Sequence, residues 1–250
     1  MNLEADLRFA HDLADAADAI TLPRFRATDL RIETKPDLTP VSESDKGAEE
    51  AIRRLVAASG RREGVFGEEF GDDGDVARRW IVDPIDGTRN YVRGVPVWAT
   101  LLALEVEGEL QVAVVSAPAL GQRWWASRGA GTFANGELCH VSHVTRVEDA
   151  VSSTTSSSDM SDAWRSVTAR TWTERGFGDF WQHCLVAQGA VDFAGERELA
   201  LWDFAAVQLL VEEAGGRCST LAGERPGHRQ SFLSSNGSLH DLIVAELDAR

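Results

Sequence analysis

Nothing in these 250 residues approaches the roughly 18 consecutive apolar residues that span a bilayer. The N-terminus carries acids where a secretory leader carries a basic region, so neither a membrane span nor an export signal is expected. Basic charge is scarce as well. Against 40 Asp and Glu stand only 25 Lys and Arg, a formal charge of −15, and no Lys/Arg cluster offsets it locally. Such a chain repels a polyphosphate backbone and an anionic lipid surface, which removes nucleic acid and membranes as expected partners. Cysteine is limited to Cys139, Cys184 and Cys218, odd in number and far apart, a pattern of reduced, buried thiols rather than of disulfides or a zinc site. A reducing cytoplasm is the expected location. No internal repeat is present, and the one biased tract is the Ser/Thr run of residues 151–161.

What remains is ordinary globular text. An apolar content of 43% over this length supports one large or two small layered domains with a real core. Leu3, Leu7, Ala10, Ala14 and Ala17 recur at helical spacing and predict an amphipathic helix reaching the region of Pro23; a second is expected over Asp45 to Ala58. Between them, Ile32 to Val41 is polar, holds two prolines and reads as extended or looped. From Trp98 the pattern is that of strands: 98–107, 110–116, 122–126 and the glycine-rich run 129–136, an antiparallel meander. The Ser/Thr run reads either as a flexible linker or as a strand opening a second layer, followed by helix from Asp162. A boundary near residue 147 divides the chain into parts 1–146 and 147–250. In the latter, helices are expected over 181–190, 204–214 and 240–247, with short strands at 217–221 and 231–234.

Residues 80–91, Trp-Ile-Val-Asp-Pro-Ile-Asp-Gly-Thr-Arg-Asn-Tyr, carry the most information. A short apolar strand runs into Asp83 and Asp86. Pro84 makes it hard for the strand to continue, which leaves both carboxylates at its end, where they can share a cation. Gly87 and Thr88 then open a helix, whose first amides offer free N–H groups to an anion. A cation and an anion gathered in one turn are what a metal-dependent phosphate enzyme requires. Two further acidic clusters are Gly67-Glu68-Glu69 and Trp202-Asp203. Taken singly, Glu68 and Glu69 can be solvated loop acids and Asp203 a helix N-cap.

Together these segments resemble the inositol monophosphatase family of magnesium-dependent phosphatases. Gly67-Glu68-Glu69, Asp83 to Tyr91, and Trp202-Asp203-Phe204-Ala205-Ala206 leading to Glu213-Ala214-Gly215-Gly216 follow the family's order, with Pro40 to Asp45 upstream. Tyr91 stands where the family usually has Phe, and Ser42 where Thr is common. The resemblance implies a mixed α/β (α+β) fold, a layered αβαβα sandwich of the inositol monophosphatase type with the metals where the two parts meet, and a homodimer. It implies that Glu68, Asp83, Asp86, Asp203 and the main-chain carbonyl of Ile85 hold two or three Mg²⁺ ions, with Asp45 reaching one through water. Five clustered carboxylates cannot all ionise in one cleft without such counter-charge. The implied reaction is hydrolysis of a small-molecule phosphate monoester by metal-activated water, with no phosphoenzyme. Asp45, Glu68 and Thr88 would be catalytic, Thr88 orienting or deprotonating the water together with Asp45, and the amides of Gly87 and Thr88 would hold the phosphate. A serine or cysteine nucleophile has no supporting context.

Residues 176–192 are similar to the histidinol-phosphatase branch of the family, where Gly178-Asp179-Phe180 occupies a place that inositol phosphatases fill with small residues. Glu196, seven residues before Asp203, matches the family position that faces the organic part of the substrate. Histidinol phosphate carries an ammonium and an imidazole, which gain from nearby carboxylates, so Asp179 and Glu196 are the substrate-binding candidates. Bland readings stand beside these: Asp179 as a cap of the helix near Phe180, and His183 as a packed core residue. The alternatives are an inositol-1-phosphate phosphatase of the same family and a non-catalytic metal- or phosphate-binding module.

Overall fold

The structure, a computed structural model, describes residues 2–36 and 38–248. Two compact units are present, Met1–Arg128 and Gly129–Arg250. The glycine-rich hairpin that the sequence places in the N-terminal part counts with the second unit.

In the first unit the order is α1 (Leu3–Arg24), β1 (Ile32–Thr34), β2 (Pro40–Ser42), α2 (Glu43–Ala58), β3 (Gly64–Gly67), β4 (Gly71–Asp73), β5 (Arg78–Asp86), α3 (Thr88–Arg93), β6 (Ala99–Val106), β7 (Glu109–Ala117) and β8 (Gln122–Ser127). The polar segment before α2 forms a small antiparallel ladder, β1 on β2. The main strands lie in the order β8-β7-β6-β5-β3-β4. All adjacent pairs here are antiparallel except β3 with β5, which is parallel. The small residues Ala10, Ala14 and Ala17 with Leu13 let α1 approach closely, and α2 adds Ala48, Ile52 and Val56. They pack on Trp80, Val82, Leu102, Leu104, Val112 and Val114, alternate residues that a pleated strand must turn to one face.

One expectation needs correction. The strand does not stop at Pro84: β5 runs on to Asp86, and its register against β6 shifts between Asp83 and Asp86. The irregularity falls where proline has no N–H to give, so the ladder loses nothing there. Asp83 Oδ1 instead accepts from the Ile85 amide at 3.0 Å, and the Pro84 carbonyl accepts from the Thr100 hydroxyl at 2.8 Å.

The second unit opens with the hairpin β9 (Thr132–Ala134) and β10 (Glu137–Cys139). Asn135 and Gly136 turn it, both with positive φ (47° and 93°), as a two-residue hairpin turn demands. Then follow β11 (Val151–Ser153), α4 (Asp162–Thr168), β12 (Thr173–Arg175), α5 (Asp179–Ala187), β13 (Phe193–Leu199), α6 (Leu201–Glu213), β14 (Arg217–Ser219), β15 (Gln230–Ser235) and α7 (His240–Asp248). The Ser/Thr run is thus strand only in its first three positions. The sheet order is β12-β11-β13-β15-β14. Neighbouring residues of β15 show how it is covered. Phe232 meets Phe204 of α6 and His183 of α5, while Leu233 joins the cluster of Trp164 and Val167 from α4 and Ile243 from α7. Since adjacent side chains point to opposite faces, helices cover this sheet on both sides. The three cysteines are free thiols.

His183 and His240 are buried. Nδ1 of His183 pairs with the Ser234 hydroxyl at 2.7 Å, and the two ring nitrogens of His240 pair with Ser235 and Ser219 at 2.8 and 2.9 Å. Burial lowers their pKa values to about 3 and about 4 from 6.5. The unfolded chain therefore binds more protons than the folded one between those values and 6.5. Their contribution is complete above that window and is lost as pH falls through it. Urea titrations are expected to show midpoints falling from pH 6.5 towards 4, with a shallower slope for His183→Met; an unaltered slope would refute this.

Candidate functional site

The first turn of α2 sets the geometry around Asp45. Ser42 caps the helix, its hydroxyl accepting from the Ser44 amide at 3.1 Å. Asp45 Oδ2 reaches back to the Ser42 amide at 2.8 Å and to its hydroxyl at 2.6 Å, a reciprocal capping box. Oδ1 remains for other work, and the Thr88 hydroxyl lies 3.3 Å from it. That hydroxyl also lies 2.9 Å from the Ile85 carbonyl. Gly87, just before α3, takes φ 80°, a left-handed turn that a side chain would strain. It brings Thr88 back over the end of β5. The carboxylate oxygens of Asp83 and Asp86 come within 4.8 Å of one another.

Beyond β3 the chain turns through Glu68 and Glu69. A carboxylate that sequence reasoning overlooked holds this turn. Glu49 has no exposed surface and accepts the Glu69 amide at 2.7 Å and the Phe70 amide at 3.2 Å. Arg53, one turn along α2, neutralises it through Nε at 2.9 Å and a second nitrogen at 2.7 Å. Gly67 is required by this approach: a Cβ there would stand 2.1 Å from Glu49 Oε1. The position four residues after Asp45 signals that Glu49 shares its helix face. Lys35, in the polar segment after β1, was also overlooked; nothing in its surroundings marks it. Its ammonium bridges Glu68 Oε1 at 2.8 Å and Glu69 Oε1 at 2.6 Å.

The electrostatics of this group suit a divalent cation. Burial, with the charge of Glu68 adding to it, raises Asp45 to about 6. Burial, with the charges of Glu68 and Asp45, raises Glu69 to about 7 despite Lys35. Like charges are crowded here beyond what one lysine relieves. The donors are carboxylate and carbonyl oxygens without His or Cys, a hard-oxygen set that suits Mg²⁺ or Ca²⁺ rather than zinc.

In the second unit Asp203 is the third residue of α6, not its cap: the cap is Ala200, whose amide donates to Asp203 Oδ2 at 2.7 Å. Asp179 likewise is not a cap. Gly178 holds that position, and Asp179 opens α5 with φ 48°. Glu196, on β13, accepts from the Thr155 amide at 3.0 Å, from the Thr155 hydroxyl and from Gln182 Nε2. Burial raises its pKa, and the charge of Asp179 adds to the rise. Two carboxylates thus lie within electrostatic reach of each other. Thr155 and Gln182 were not singled out from sequence, since the Ser/Thr run hides the first and a helical pattern the second.

A model of the inositol monophosphatase family matches residues 2–250. The chain is 51% identical to a histidinol-phosphatase of Streptomyces coelicolor, covering 98% of this chain and 97% of that protein. It is 47% identical to a histidinol-phosphatase of Mycobacterium tuberculosis, covering 98% of each. Among solved structures, an inositol monophosphatase of Thermotoga maritima superposes with a TM-score of 0.87 at 30% identity, over 99% of this chain and 96% of that one.

The turn after β3 depends on a buried ion pair, so Glu49→Gln should lower stability by about 3 kcal/mol, the scale of breaking such a pair from one side. Gly67→Ala should also destabilise. Thermal unfolding by circular dichroism checks both, and midpoints equal to the parent's would show that the turn does not rest on Glu49.

Proposed function

Since the chain belongs to the inositol monophosphatase family, we propose that it hydrolyses histidinol phosphate to histidinol and inorganic phosphate in a magnesium-dependent reaction of histidine biosynthesis. The reading rests on full-length similarity to histidinol-phosphatases. The observation that carries the substrate is the pair Asp179 and Glu196, because a monoester with an ammonium and an imidazole fits two adjacent carboxylates better than an inositol ring does. Glu68, Asp83, Asp86, Asp203 and the Ile85 carbonyl would hold the ions, two or three in number, with Asp45 acting through water. When bound, such ions lower the pKa of a water molecule and neutralise charge on the departing alkoxide.

The chain's own residues supply the rest. Thr88 Oγ1, between Asp45 Oδ1 and the Ile85 carbonyl, can take a proton from the attacking water while passing its own to Asp45. Burial disfavours the charged form of Asp45, which makes it a better proton acceptor than an exposed aspartate. Glu68 positions the same water, and the amides of Gly87 and Thr88 receive the phosphate oxygens. Water adds to phosphorus, the ester bond breaks, and the proton passes to the alcohol. A homodimer and a cytoplasmic location belong to the same reading.

Purified protein with Mg²⁺ is expected to release phosphate faster from histidinol phosphate than from inositol 1-phosphate, and excess chelator to abolish release from both. Preference for inositol 1-phosphate would favour the phosphatase alternative; no release from any monoester would leave a binding module. Glu196→Ala is expected to lower kcat/KM for histidinol phosphate by more than about tenfold, the scale of one charge-assisted hydrogen bond. Unchanged kinetics in a folded variant would remove Glu196 from the site.

A further inference from the structure

Glu196 has no charged partner among the described residues that hydrogen-bond to it. Its Oε1 accepts the Thr155 amide at 3.0 Å, the Thr155 hydroxyl and the amide nitrogen of Gln182, all neutral donors. Thr155 has a single hydroxyl proton, and the geometry shows where it goes. Its Oγ1 accepts from the Asp179 amide at 2.9 Å, so the proton is left for Glu196. One hydroxyl therefore ties the carboxylate of β13 to the first residue of α5. It does so at a strained point, since Asp179 is a non-glycine residue with φ 48°. Gln182, one turn into α5 and without exposed surface, presents its NH₂ to Glu196, while its Oε1 has no hydrogen-bond partner among the described residues. A lysine or arginine in place of either donor would have held the carboxylate as firmly and cancelled its charge.

We propose that Thr155 and Gln182 are specificity-positioning residues, which fix Glu196 beside Asp179 with uncharged donors so that the substrate's own cationic group supplies the missing positive charge. This rests on the histidinol phosphate reading and extends it. The charge of Asp179 acts on Glu196, and donors without charge fix Glu196 there without cancelling its own. A cation that approaches Glu196 meets a carboxylate that its hydrogen-bond donors leave unneutralised. A monoester with a neutral alcohol portion gains nothing from the arrangement, so the clamps bear on which ester is chosen and not on the phosphoryl chemistry.

The test compares Thr155→Val, Thr155→Ser and Gln182→Leu with the parent on histidinol phosphate and on glycerol 2-phosphate, whose alcohol carries no charge. Thr155→Val and Gln182→Leu should each raise KM for histidinol phosphate on the order of tenfold, the effect of one lost hydrogen bond to a charged group. Their kcat, and both constants for glycerol 2-phosphate, should stay within about twofold. Thr155→Ser, which keeps the hydroxyl, should behave as the parent. Unchanged KM in both variants would overturn the proposal, and so would equal losses on both esters with a lowered unfolding midpoint, the mark of a merely structural role. A parent protein that hydrolyses glycerol 2-phosphate but not histidinol phosphate would overturn the substrate reading itself, an outcome distinguishable from either.

Discussion

Burial of carboxylates, with the charges of their neighbours adding to it, governs the acids of residues 40–90. The charge of Glu68 adds to the raised proton affinity of Asp45 and Glu69, that of Asp45 adds to the rise of Glu69, and each acid is anchored by a device that leaves some of its capacity free. Asp45 gives one oxygen to the cap of α2 and keeps the other near Thr88. Glu68 and Glu69 sit on a turn whose amides are held by Glu49, itself neutralised by Arg53. The scaffold thus contains a fully paired buried acid whose role is to support acids that are not fully paired. A buried acid with its own cation is stable without a ligand; one resting on a single shared lysine retains an appetite for more positive charge.

Legibility in the sequence follows from how local each cause is. The two large helices and the strands from residue 98 onward were readable because apolar periodicity is a short-range signal. The acids at 83 and 86 were readable because proline and glycine punctuate them. Pro84 nevertheless misled: its missing N–H suggested an end to β5, whereas a register shift against β6 absorbs it, and a shift is a property of two strands that one segment does not display. The Ser/Thr run yielded three residues of strand because β propensity cannot say where pairing stops. Glu49 was missed although its spacing from Asp45 was in view, since a polar residue on a helix face reads as solvated until something is known to cover it. Lys35 carries no local mark at all; only folding brings it to Glu68.

The acids of the second unit contrast with those of the first. Glu69 meets an ammonium, whereas Glu196 meets two side chains and an amide without net charge. Both carboxylates accept hydrogen bonds, so neither carries the penalty of a buried acid with no donor. They differ in net charge. Hydrogen-bond satisfaction and charge neutrality are separate quantities, and a protein can meet the first while withholding the second.

That separation bears on how one fold can serve several esters. On the proposed reading, the oxygen donors around β5 and α2 would serve the phosphate group, which every phosphate monoester shares. Discrimination must therefore come from groups that sense the alcohol, and sensing a cation requires acids kept ionised but not neutralised. Burial works against this by favouring the protonated form of Glu196, and the Thr155 and Gln182 donors work in its favour by stabilising the ionised one. The ionisation of Glu196 is the balance of these opposed effects, with Asp179 weighing on the side of protonation. On the proposed reading, a cationic substrate would shift that balance in its own favour as it binds, so that recognition and the charge state of the receptor would be coupled rather than preset.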